Sequence, residues 1–212
     1  YLLHDIGELS YQKFMKLDCF TWLKEKKEQG LVKKIGFSYH DKADLLDKIL
    51  TEHSEIEFVQ LQINYLDWDS EGIQSGKCYE VATKHGVPVI VMEPVKGGTL
   101  AKLPDEVEAK FKAKEADATT ASWAMRWCGT LEGVKVILSG MSTMEQVEDN
   151  LKTFGDFKEL DESEKALVQD VADTLNSRMR NGCTDCRYCM PCPAGVNTVS
   201  YTHLTLPTSD LV

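Results

Sequence analysis

Apolar residues along the chain fall into two kinds of segment that alternate. Short, almost continuously apolar runs such as Pro88–Met92 are typical of strands that are buried on both faces. Longer segments such as Asp41–Leu50 repeat apolar residues every three or four positions, which is typical of helices with one buried face. The predicted strands are Tyr1–His4, Val32–Phe37, Phe58–Ile63, Pro88–Met92 and Val134–Leu138. The predicted helices are Ser10–Gln29, Asp41–Leu50, Glu71–His85, Asp105–Lys114, Thr119–Cys128, Thr143–Phe154 and Asp161–Met179.

The alternation of strand and helix predicts an α/β fold in which parallel strands are joined by helical crossovers. Periodicity alone leaves two architectures open, a five-stranded open sheet and five-eighths of a closed barrel. The glycine fingerprint G-x-G-x-x-G of a dinucleotide-binding open sheet does not follow the first strand, and Gly97-Gly98 is not that motif.

Composition then narrows the class of protein. With 42% hydrophobic and 27% charged residues, the 212-residue chain resembles an ordinary globular domain with a small appendage. Its formal net charge of −10 argues against binding to nucleic acid or to an anionic membrane. No apolar run approaches the ~20 residues of a membrane-spanning helix. Tyr1–His4 does not have the composition of a signal peptide.

Four of the seven cysteines form one tight run, C-x2-C-x2-C-x2-C-P, made of Cys183, Cys186, Cys189 and Cys192. A [4Fe–4S] cluster fits this spacing better than zinc, which usually takes two C-x2-C pairs separated by a longer loop. Zinc and free or oxidised thiols remain alternatives. Cys192 either closes the same cluster or ligates a second one. A thiol-rich metal site indicates a reducing compartment, so we expect a cytoplasmic protein.

The other three cysteines, Cys19, Cys78 and Cys128, are scattered through predicted helices and are interpreted as small buried apolar residues.

Five segments in order resemble the aldo/keto reductase family. They match its fourth to eighth barrel strands and are Tyr1–His4, Lys34–Ser38, Gln60–Asn64, Met92–Pro94 and Leu138–Ser142, the last followed by Gln146, Asp149 and Asn150. The cysteine run adds a resemblance to the iron–sulfur members of that family. The resemblance extends from residue 1 to about residue 198. It implies part of a (β/α)8 TIM barrel, with a C-terminal helix and a small iron–sulfur segment.

This resemblance also implies a division of the chain. Residues 1–158 would be the C-terminal part of the barrel, 159–181 a helical connector and 182–198 a truncated ferredoxin-like segment. Residues 199–212 resemble the in-frame translation of a sequencing-library adapter and are excluded as a non-native tail, the alternative being a genuine polar tail.

The implied activity is hydride transfer between NAD(P)(H) and a small carbonyl or alcohol substrate. By resemblance, His4 is the catalytic histidine that orients the carbonyl oxygen. The implied cofactor-binding residues are Ser38, Gln60, Asn64, Gly140, Gln146 and Asn150.

By resemblance, Gly140 and Gln146 stand where NADPH-preferring members place basic residues, which favours NAD(H) or a relaxed preference between the two dinucleotides. Backbone amides at the helix start and Lys96 remain alternative ligands of a phosphate, although Lys96 is interpreted as a solvated loop lysine.

The family's catalytic Tyr, Lys and Asp lie on strands that precede Tyr1, so we expect the chain as given to be inactive. Two other functions stay open. One is a non-catalytic electron-transfer or structural module, with a redox partner protein. The other is a zinc-stapled binding protein.

Overall fold

The computed structural model describes residues 1–178. The five strands are β1 (Leu2–Ile6), β2 (Gly36–Tyr39), β3 (Phe58–Gln62), β4 (Val89–Met92) and β5 (Val134–Ile137). The same residues form eight α-helices, which are α1 (Glu8–Lys16), α2 (Cys19–Glu28), α3 (Ala43–Glu52), α4 (Ser75–Lys84), α5 (Asp105–Lys114), α6 (Thr120–Thr130), α7 (Met144–Gly155) and α8 (Glu162–Arg178). A short 3₁₀ helix, Lys96–Ala101, follows β4.

The strands form one parallel sheet in the order β1-β2-β3-β4-β5, so each strand lies beside its neighbour in sequence. This order has no point at which the strand sequence reverses, which excludes the switched order of a dinucleotide-binding open sheet. Within residues 1–178, β1 and β5 each pair with a strand on one side only. The carboxyl ends of all five strands therefore share one side of the sheet, which we call the rim.

The prediction of one continuous helix over Ser10–Gln29 is wrong, because the structure has two helices there, α1 and α2. Asp18, which stands between them, adopts a left-handed conformation with φ 51°. That conformation cannot continue a right-handed helix, and Asp is one of the few non-glycine residues that tolerate it. The second strand also begins later than predicted, at Gly36.

Gly36 itself is required by close packing of β2 on β3. A Cβ atom at this position would collide with the carbonyl oxygen and ring of Phe58 on β3.

The apolar side chains form two buried clusters. The larger one lies between the sheet and its helices and includes Phe37, Val59, Leu61 and Val91. The second joins the loop after β3 to α5, α6 and α8, with Trp123 fully buried against Phe111. The prediction for the scattered cysteines is confirmed for Cys78 and Cys128, which are buried, whereas Cys19 is half-buried.

None of the helices within residues 1–178 combines the length and the apolar character that crossing a bilayer requires.

Candidate functional site

The sheet register brings two of the predicted site residues side by side. Ser38 on β2 pairs with Gln60 on β3. Alternate residues of a strand face opposite sides of the sheet, and Phe37 and Val59 pack against the helices, so Ser38 and Gln60 face the other side. Ser38 is fully buried, and its hydroxyl accepts a hydrogen bond from the Asp5 backbone at 2.7 Å.

His4 lies on β1, is exposed, and directly precedes Asp5, whose φ is 60°. A neighbouring histidine that the sequence did not single out, His40, stands just after β2. Burial lowers the pKa of His40 below its ordinary value, with Asp5 opposing and His4 adding to that shift. The register pairs Leu3 with Phe37 and Ile6 with Tyr39, so His4 and His40 both stand near the carboxyl ends of two neighbouring strands. The only signal in the sequence is that His40 follows Ser38 by two positions.

Gln60 and Asn64 differ in how their amides are used. Gln60 is half-buried, and its Nε2 lies 3.3 Å from the Met92 sulfur. The Asn64 side chain is fully buried, with Oδ1 accepting from the backbones of Leu66 and Asp67. Its Nδ2 donates to the Asp67 carboxylate and to the Glu93 carbonyl. Asn64 thus holds two rim loops together, and its role towards a cofactor stays a prediction.

A groove of about 690 Å³ opens at the other end of the rim, where the loop after β4 faces the start of α7. Its size is within the range that suits a cofactor or drug-sized ligand. The groove contains three of the predicted cofactor-binding residues, Gly140, Gln146 and Asn150. Ser38, Gln60 and Asn64 do not line it.

The start of α7 is held by a reciprocal cap. The Thr143 hydroxyl accepts from the Gln146 backbone at 3.4 Å, while Gln146 Oε1 accepts from the backbones of Ser142 and Thr143 at 2.7 and 3.2 Å. One turn later, Asn150 Nδ2 donates to the Ser139 hydroxyl at 3.0 Å. These bonds fix the loop that links β5 to α7, and they already occupy the two amides that Gln146 caps.

The charged residues that line the groove are acidic, namely Glu93 and Asp149. In the described part of the chain, no lysine or arginine lines it. Among residues 1–178, the lining of the groove therefore offers no counterpart of the Arg or Lys that usually pairs with a phosphate dianion.

Lys96 is not the solvated loop lysine that the sequence suggested. It is 2% exposed, and its ammonium lies 2.5 Å from Asp67 Oδ1. That interpretation is wrong because Asp67 stands 29 positions earlier in the chain and reaches Lys96 only through the fold. Val95 and Gly97, on either side of Lys96, line the groove, whereas Lys96 and Asp67 do not, so the buried ion pair lies behind this loop.

The cysteine run Cys183, Cys186, Cys189 and Cys192 lies outside the described residues, as do the proposed tail and the end of the connector. Among residues 1–178, no group of three or more His, Cys, Asp or Glu side chains is placed to hold a metal ion. The last described helix, α8, ends near the rim, where Asn176 Nδ2 donates to the Leu66 carbonyl at 3.4 Å.

Parallel strands in sequential order, with a ligand-sized groove among the loops at their carboxyl ends, define a protein of the α/β-barrel type. Comparison with known proteins narrows this class. Residues 1–173 match the Aldo/keto reductase family, and the chain belongs to it.

The fold is also similar to that of solved aldo-keto reductase structures. The holo form of the aldo-keto reductase AKR11C1 from Bacillus halodurans superposes with a TM-score of 0.61 and 23% identity, over 81% of this chain and 57% of that one. A variant of Gox0644 in complex with NADPH gives a TM-score of 0.61 and 20% identity, over 80% of this chain and 58% of that one.

A curated relative is the "Uncharacterized oxidoreductase C215.11c" of Schizosaccharomyces pombe, 26% identical over 143 residues. That match covers 68% of this chain and 44% of the relative. The chain thus spans less than half of this relative and between half and two thirds of the two solved structures.

Proposed function

We propose that this chain is part of an NAD(P)-dependent oxidoreductase that interconverts a small carbonyl compound and its alcohol. Family membership supports the reaction class. The observation that carries the proposal is the groove, because it gathers Gly140 from the loop after β5, and Gln146 and Asn150 from α7, opposite the loop after β4. The Gox0644 variant was solved with NADPH and shares this fold, which supports a dinucleotide as the occupant.

When bound, a reduced nicotinamide supplies a hydride to the carbonyl carbon. In this proposal His4 donates a hydrogen bond to the carbonyl oxygen and stabilises the negative charge that develops there. Ser38 and Gln60 hold the uncharged nicotinamide amide, for which a neutral hydroxyl and a neutral amide are suitable partners. Their adjacent positions in the sheet support a shared role.

We further propose a preference for NAD(H) over NADP(H). The absence of a lysine or arginine from the described lining of the groove supports it. Gln146→Arg places a cation beside the position proposed for the 2′-phosphate, and we expect it to tighten NADPH binding about tenfold relative to NADH. Equal effects on both dinucleotides would contradict this placement.

The test of the main proposal is calorimetric titration of the purified 212-residue chain with NADH and with NADPH. We expect saturable binding, weakened about tenfold by Asn150→Ala and unaffected by the matched control Asn176→Ala on α8. We also expect no carbonyl-dependent oxidation of either dinucleotide by this chain, because no residue in it is assigned to the family's Tyr, Lys and Asp. The proposal would be refuted if the chain bound neither NADH nor NADPH.

The cysteine run is proposed to hold a [4Fe–4S] cluster through Cys183, Cys186 and Cys189, with Cys192 as the fourth ligand. Four thiolates in one short run followed by proline support this assignment. Protein purified without oxygen should contain iron and acid-labile sulfide and show a visible charge-transfer band, and Cys186→Ser should remove all three. Stoichiometric zinc without sulfide would favour the zinc-stapled alternative.

A further inference from the structure

The Asp67 carboxylate is buried at the centre of a polar cluster behind the groove. Its Oδ1 accepts from Lys96 Nζ, and its Oδ2 accepts from Asn64 Nδ2 at 2.9 Å and from Gln62 Nε2 at 3.3 Å. The side chains of Asp67 and Lys96 are only 5% and 2% exposed. These groups come from the end of β3, from the loop that follows it, and from the segment after β4.

The loop after β4 has an unusual backbone. Four of the six residues in Glu93–Gly98 have positive φ, and two of them, Glu93 at 60° and Lys96 at 49°, are not glycine. Residues other than glycine rarely adopt this backbone conformation, and it persists only where surrounding contacts impose it. Here the Asn64 amide holds the Glu93 carbonyl, and Asp67 holds the Lys96 ammonium.

The same loop forms one wall of the groove. Glu93, Pro94, Val95, Gly97 and Gly98 all line it, whereas Lys96 points away from it to Asp67. The two loops are thus connected so that the ion pair fixes the wall from behind without contacting whatever occupies the groove.

We propose that Asp67 and Lys96 are positioning residues that preorganise this wall for the dinucleotide. The inference rests on the proposed function, because it takes the groove to hold a dinucleotide. A buried ion pair is weak support for stability, since apolar residues of similar size often replace one without loss. In this proposal the pair acts on the shape of the groove wall and not on the overall stability of the fold. If losing the pair leaves the wall correctly shaped in one molecule out of ten, the apparent Kd rises tenfold.

The test compares two doubly substituted full-length chains by calorimetric titration with NADH. Asp67→Leu with Lys96→Met removes the pair and leaves no unpaired charge, although the Asn64 and Gln62 amides lose the Asp67 acceptor. We expect its Kd for NADH to rise about tenfold while its Tm stays close to that of the parent. The matched control Asp170→Leu with Lys110→Met removes a surface ion pair between α5 and α8. We expect its Kd to stay unchanged. Equal Kd values for the parent and the Asp67/Lys96 variant would overturn the inference.

Asp67→Asn covers the case in which the double variant does not fold, because it keeps the shape and removes the charge. We expect faster amide hydrogen exchange confined to residues 93–101 and a higher Kd for NADH, with Lys96→Arg retaining the parent values. Unchanged exchange and an unchanged Kd in Asp67→Asn would overturn the inference. Failure of the parent chain to bind either dinucleotide would instead refute the proposed function, and the exchange measurement, which needs no ligand, would still report on the wall.

Discussion

The loops after β3 and β4 and the loop between β5 and α7 stand along the same rim, but they use their polar side chains differently. At the centre, Asn64, Asp67 and Lys96 are buried and bonded to one another. Beside β5, Gln146 is exposed and Asn150 is half-buried, and their side-chain bonds stay within the segment from Ser139 to the start of α7. The centre is organised to hold a shape, and the β5 side leaves polar groups within reach of a ligand.

The supporting strands show the same difference. All four residues of β2 are buried, whereas two of the four in β5 are exposed. Around β5 and α7, large apolar side chains also reach solvent, including Val136 at 45% and Leu151 at 67% exposure. The loss of buried contacts determines how far a substitution lowers the free energy of unfolding. We therefore expect equivalent substitutions to lower it more at the centre of the rim than near β5.

The largest effect is expected when the central ion pair loses one partner. Asp67→Leu leaves the Lys96 ammonium buried without its carboxylate, and we expect a loss of about 4 kcal/mol in the free energy of unfolding. Urea denaturation followed by tryptophan fluorescence measures it. The control Asp170→Leu opens a surface pair and should cost less than about 1 kcal/mol. Similar losses in both variants would remove the difference between centre and surface.

The second prediction compares truncations on two strands of the same sheet, measured as the loss in the free energy of unfolding. Leu61 on β3 is 1% exposed, and Leu61→Ala should lower the unfolding free energy by about 3 kcal/mol because it leaves a cavity. Val136→Ala on β5 removes a half-exposed side chain and should cost less than about 1 kcal/mol. A costly Val136→Ala would mean that β5 is covered by other parts of the protein in solution.

The third effect concerns the start of α7. Thr143→Ala removes the hydroxyl that accepts from the Gln146 backbone and should cost about 1 kcal/mol. It should also speed amide exchange in the first turn of the helix. Glu148→Ala, at an exposed position further along the same helix, serves as the control and should leave both quantities nearly unchanged.

The smallest effect extends the comparison to the other end of the sheet. Lys27, and after it Lys34, hold the pKa of Glu57 at about 2, below its ordinary value of 4.5. A lowered pKa means that the carboxylate stabilises the folded state above pH 4.5 and that this contribution is lost as the pH falls towards 2. Stability measured from pH 6 to about pH 2 should therefore fall less steeply in Glu57→Gln, with Glu71→Gln as an exposed control.

Much of the fold was predictable because it depends on local patterns. Alternating apolar strands and amphipathic helices predicted a parallel α/β fold, and the structure confirms five strands in sequential order. The break at Asp18 was not predictable, because a helical pattern continues on both sides of it and only the backbone conformation ends α1.

The candidate site likewise has parts that could be predicted from the sequence and parts that could not. The resemblance placed Gly140, Gln146 and Asn150 together, and the groove does contain all three. It did not reveal the burial of Lys96, because a lysine beside two glycines looks like a surface loop until its distant partner is known. Contacts between residues far apart in the chain leave no periodic trace in the sequence.

Within residues 1–178, β5 pairs with a strand on one side only, which also bears on how the purified chain behaves at high concentration. A strand with an unpaired side can act as a template for another chain, and apolar residues such as Val136 increase that tendency towards aggregation. Two features of β5 counteract it, a length of only four residues and the exposed, positively charged Lys135 at its second position. Lys135 therefore opposes the pairing of β5 with another copy of the chain.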